Sequence, residues 1–114
     1  MTLETVTGHS MDGEMIGRYF RNLVNLFFKI LPMREDEEPS LGIYMQSLRD
    51  ELLGFQSLIV AIENDPAFLS LLSILQHLID TPDAPVQHVR REVFHAISIC
   101  YKLRDHYSMS EAVM

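Results

Sequence analysis

Four stretches of this chain repeat apolar residues at three- and four-residue steps, and prolines stand at the breaks between them. That spacing puts apolar side chains on one face of an α-helix, so the fold must bury helix faces against each other. In the first stretch, Ile16, Tyr19, Phe20, Leu23, Val24, Phe27 and Leu31 form the stripe. Pro32 is expected to end it, because the residue before proline is pushed out of helical geometry. A polar loop over 33–39 holds Glu35, Asp36, Glu37 and Glu38. Ser40 is expected to cap a second helix, leaving the acid run just outside that helix's positive end. Leu41, Tyr44, Leu48, Leu52, Phe55, Ile59 and Ile62 carry its stripe to Glu63, with Gly54 marking a place for a kink or break.

Asp65-Pro66 is the clearest punctuation: a capping aspartate, then proline at the first helical position, where its missing N–H costs nothing. A third helix is expected from there to about Asp80. The segment Thr81-Pro82-Asp83-Ala84-Pro85 reads as a turn into a fourth helix ending near Tyr107, with Val86, Val89, Val93, Ile97, Cys100 and Tyr107 on its core side. No segment alternates with period two. The expectation is an all-α antiparallel bundle of four helices, five if the second breaks at Gly54, occupying 13–107. Residues 1–12 are expected to be a flexible leader and 108–114 a short tail.

With 114 residues and 47% apolar content, such a domain buries a core without disulfide or metal staples. Cys100 is the single cysteine, so no internal disulfide forms and a reducing, cytoplasmic compartment is expected. Met1 to Glu14 carries Glu4, Asp12 and Glu14, unlike a secretory signal. The apolar-rich stretch Phe68 to Ile79 is shorter than the ~20 residues a membrane span needs. A net charge of −7 repels nucleic-acid backbones at long range, although a local basic patch remains compatible with it.

The charges are unevenly spread. Between Leu52 and Ile79 only Glu63 and Asp65 are charged, and the polar side of the third helix is the small, uncharged set Ser70, Ser73, Gln76 and His77. Interface cores are depleted in charge, so this set marks a candidate contact with a protein partner or a second copy of the chain; burial within the monomer explains it equally well. At ~100° per residue, His88, Arg91, His95, Lys102 and His106 share one stripe of the fourth helix. Arg18, Arg21 and Lys29 share the polar side of the first. If the first and last helices are neighbours, these two faces join into a basic surface able to hold an anion or nucleic acid. Two ordinary solvated faces are the simpler explanation.

The residues that carry familiar chemistry are not arranged for it. His88 and His95 are two turns apart, ~10 Å along a helix, too far to share a metal ion. There is no His-Glu-x-x-His, no Cys-x-x-Cys and no glycine-rich phosphate loop. The acid run 35–38 lacks the alternate spacing of a calcium loop. Cys100 falls on a core stripe, as an inert thiol does. The expectation is a non-enzymatic protein with no cofactor.

Phe27-Phe28-Lys29-Ile30-Leu31-Pro32, Leu71-Leu72-Ser73-Ile74-Leu75-Gln76 and the run from Arg91 to Cys100 resemble segments of small uncharacterised helical proteins encoded on Firmicutes mobile genetic elements. The resemblance spans roughly 20–104 and brings no catalytic residues. It implies a genomic setting in which regulators and inhibitors of host defence, anti-CRISPR proteins among them, are common. The combined expectation is a protein–protein interaction protein of that kind, with a nucleic-acid-binding module as the alternative.

Overall fold

The computed structural model describes residues 2–4 and 10–112, with side chains from Asp12 to Ser108. The described residues form an all-α bundle of five helices: α1 (Gly13–Phe28), α2 (Ile30–Glu35), α3 (Leu41–Leu58), α4 (Pro66–Asp80) and α5 (Val86–Ala112). Two three-residue strands, β1 (Thr2–Glu4) and β2 (Ser10–Asp12), precede them and pair antiparallel, with Leu3 opposite Met11. The leader is therefore partly paired rather than loose. Three residues are too few to display the alternation that reveals a strand. Asp12 ends β2 and also caps α1, its carboxylate accepting from the Glu14 amide at 2.9 Å.

The fifth helix arises at Pro32, not at Gly54. α3 runs unbroken through Gly54. Pro32 sits in the first turn of α2, where its missing N–H is no loss, and it deprives the carbonyl four residues back, that of Phe28, of a donor. Phe28 is the last residue of α1, so the proline kinks the path at Lys29 rather than stopping it.

α2 closes with the backbone pattern of a Schellman motif: the Glu38 amide donates to the Met33 carbonyl at 2.9 Å and the Glu37 amide to the Arg34 carbonyl at 3.2 Å. The residue in the left-handed position is Glu37, at φ 53°, where glycine is usual. Nor does Ser40 cap α3. Its backbone is turn-like (φ −85°, ψ 0°), so the hydroxyl is not aimed at the free amides as an extended cap residue's would be. Asp65 does cap α4, through Oδ1 to the amides of Ala67 (2.9 Å) and Phe68 (3.4 Å).

The core is built most closely on the antiparallel pair α1 and α5. Gly17 permits the approach: a β-carbon there would strike the Ser108 hydroxyl and lie 3.4 Å from the Arg104 carbonyl. Phe20 is the centre of an aromatic cluster, with ring centroids 5.8 Å from Phe55, 6.1 Å from Phe68 and 6.0 Å from Tyr107. Tyr19 stacks on Phe55 at 3.8 Å. Asp65 closes this end of the bundle, its Oδ2 accepting from the Tyr107 hydroxyl at 2.8 Å. α5 continues beyond the expected end at Tyr107 to Ala112, so much of the expected tail is helix. No helix among the described residues is long and apolar enough to cross a membrane.

Candidate interaction surfaces

α4 presents two sides at once. Seven residues apart, Ser70 and His77 lie on one side, and His77 turns to α5, its Nε2 2.8 Å from Nε2 of His88. The ring centroids are 5.0 Å apart, close to the sum of that distance and two ring radii, so the nitrogens face each other head-on. That is the geometry of an N–H···N hydrogen bond; lone pairs converging on a shared metal ion would bring the rings closer at this nitrogen separation. Among the described residues, no three His, Cys, Asp or Glu side chains converge on a metal position.

The other side of α4 faces α3. Leu69, Leu72, Ser73 and Gln76 of α4, with Arg49 and Leu53 of α3, line a shallow groove of about 380 Å³. Leu53 and Leu69 remain 43% and 44% exposed. Across the groove, Arg49 donates to Oε1 of Gln76 at 2.8 Å, and Gln76 donates to Asp80 at 3.0 Å. The Nε of Arg49 is buried with no partner. The expected interface set is thus divided: Ser73 and Gln76 line the groove, Ser70 is exposed, and His77 is engaged with α5. The surface is also not free of charge, because Arg49, from just outside the charge-poor stretch, reaches into it. Leu53 and Leu69 were the residues the sequence reading passed over. Their signal was that they are apolar yet lie off the core stripes.

α1 and α5 are neighbours, as expected, but the seam between them is filled by Phe28 against Phe94, with ring centroids 5.8 Å apart. At ~100° per residue, the stripe of His88, Arg91, His95, Lys102 and His106 lies about a quarter-turn round α5 from Phe94. The contact of His88 with His77 shows that this quarter-turn leads toward α4, away from α1. His106 sets its ring edge-on to Tyr107 at 4.8 Å. On α1, Arg18 pairs with Glu14 at 3.3 Å, while Arg21 and Lys29 are exposed. The stripe on α5 and the cations of α1 thus lie on neighbouring helices beside the Phe28–Phe94 contact.

A larger cleft, about 460 Å³, opens at the far end of the bundle from Tyr107. The loop 36–40 and the turn 81–85 flank it, and α2, α3, α4 and α5 all contribute to its walls. Its floor is apolar, with Ile30, Met45 and Leu78 buried. Arg34 crosses its edge, donating to the Ala84 carbonyl at 2.9 Å, while its Nε is buried without a partner.

Buried titratable groups elsewhere are held neutral. Burial pushes the Cys100 thiol up to about 12, which makes it a poor nucleophile at neutral pH, as its core position implied. Burial also raises Tyr107, helped by its hydrogen bond to Asp65, and raises Tyr19, helped by the nearby Glu51. The Tyr19 hydroxyl is buried without a partner. It sits among Phe20 and Phe55 rather than in a cleft. The chain matches no family model, and neither a curated protein nor a solved structure is similar to it.

Proposed function

We propose that this chain is a non-enzymatic protein-interaction module that docks through the α3–α4 groove, most concretely as a mobile-element regulator or inhibitor of a host defence system. The observation that carries the docking is the pair Leu53 and Leu69, exposed to solvent on either wall of a groove in the charge-poor part of the chain. Leu53 and Leu69 are already more than half buried, so covering what remains contributes roughly 1 kcal/mol each, and the charge of Arg49 in the groove is already engaged with Gln76. The genomic setting rests on the resemblance of the helical segments alone. The nucleic-acid alternative has less support, because a chain of net charge −7 repels phosphate backbones at long range.

The test is a double variant, Leu53→Glu with Leu69→Glu, compared with Arg21→Glu on the opposite helix. Light scattering over a range of concentrations and quantitative affinity capture are run on all three proteins. The reading predicts self-association or a captured partner that the leucine double variant loses and Arg21→Glu keeps. A strictly monomeric protein whose captured proteins are the same for both variants would overturn it.

A further inference from the structure

The end cleft has a chemical character that the α3–α4 groove lacks. Its floor is apolar and its mouth carries Glu37, Glu38 and Asp83 against the single guanidinium of Arg34, a formal balance of −2. Among the described residues, none of these three carboxylates has an ion-pair partner; the adjacent Glu35 is the one that does, held by Arg90 at 2.8 Å. Arg34 offsets only part of this charge, one cation against three carboxylates, and one of its two terminal nitrogens is engaged with the Ala84 carbonyl. The volume lies within the roughly 300–1,000 Å³ of small-molecule sites. Met33 and Met45 in the lining can adapt to an irregular apolar body, as unbranched thioether side chains do.

From this pairing of an apolar floor with unpaired carboxylates at the mouth, we propose that the cleft binds a small organic cation: an ammonium head on an aliphatic or aromatic body. The body occupies the floor over Ile30, Met45 and Leu78, and the ammonium lies at the mouth among Glu37, Glu38 and Asp83. Charge sets the direction of insertion. An anionic molecule of the same shape meets three carboxylates at the mouth and a single guanidinium, a net negative field. The site is independent of the docking surface proposed above, since it shares no lining residue with it.

The experiment compares hexylamine, hexanol and hexanoate, which share one apolar chain and differ in the charge of the head. Binding is followed by NMR titration of the methionine methyls, with Met33 and Met45 as reporters. Hexylamine is expected to bind about tenfold more tightly than hexanol, the lower end of what a charged hydrogen bond adds over a neutral one, and hexanoate least. In a Glu37→Gln, Glu38→Gln, Asp83→Asn variant, the amine and the alcohol are expected to converge to within about twofold while hexanol binding is unchanged. These substitutions are at exposed positions, and an unchanged methyl spectrum before titration shows that the fold is kept. Hexanoate binding as tightly as hexylamine would overturn the proposal. So would silence of Met33 and Met45 with all three compounds, or a lysine-bearing peptide shifting those methyls where hexylamine does not.

Discussion

The two ends of this bundle are built on opposite terms. At one end Phe20 gathers Phe55, Phe68 and Tyr107 around itself, and Asp65 closes the assembly by capping α4 and accepting from Tyr107. At the other, two short loops flank a cleft, carboxylates crowd the C-terminal end of α2, and Glu37 holds a backbone conformation that glycine adopts more cheaply. The same acids stand between the C-terminus of α2, whose dipole they oppose, and the N-terminus of α3, whose dipole they favour, so the local cost here is chiefly that of the left-handed Glu37. Stability is concentrated at the aromatic end, and the opposite end is where the chain accepts local cost and leaves space. That division is common where a rigid scaffold presents a recognition site.

The comparison is most easily broken with paired truncations. Phe20→Ala is expected to cost about 3–5 kcal/mol in urea unfolding, because a fully buried ring leaves a cavity among other rings. Met45→Ala, at the cleft floor, is expected to lie nearer the ~2 kcal/mol lower end, since its surroundings already adjoin open space. Equal costs at the two sites would remove the distinction.

Alkaline titration sharpens it next. Cys100 has its folded pKa raised from 9.0 to about 12, and Tyr19 and Tyr107 are raised from 10.0. A raised value means the unfolded chain loses these protons first, so the stabilising term is complete below pH 9 and is lost as pH climbs toward 12. The unfolding free energy from urea titration should hold to about pH 9 and then fall, by a few kcal/mol in all. In Cys100→Ala the decline should begin about one pH unit later, at the tyrosines. An unfolding free energy that stays flat to pH 11 would show that the buried groups are not held as described.

The smallest effect has the opposite sign. Glu37→Gly should raise stability by about 1 kcal/mol by relieving the left-handed residue and removing one charge from the end of α2. A loss of stability on thermal unfolding would mean that the Glu37 side chain makes a compensating contact.

Much of this architecture was legible because its signals are local. Asp65-Pro66 carries a cap and a helix start in two residues, and the apolar stripes of α1 and α5 identify the faces that meet. The failures share a cause, which is that one dimension records an angle around a helix but not what stands there. The basic stripe of α5 was correctly grouped, yet its direction depended on α4, where His88 finds His77. Pro32 reads as a stop because the rule for the preceding residue is local; that residue, Leu31, is helical here, and the proline's first-turn place makes it a kink. The cleft was invisible, since its lining comes from four helices and two connections. The acid run is legible only as part of a polar loop, because its apolar neighbours are distant in sequence.

The close packing of α1 against α5 has a consequence for how the chain is made. Among the described residues these are the first and last helices, so the part of α1 that packs on α5 has no permanent cover until α5 has been synthesised. At roughly 5–20 residues per second, the nascent chain spends seconds with that seam open. Folding must then close a loop that spans α2, α3 and α4, which raises the contact order above that of a bundle whose helices pair in succession. The chain should therefore fold late and as one unit, and a truncation within α5 should yield an aggregating product rather than a smaller domain.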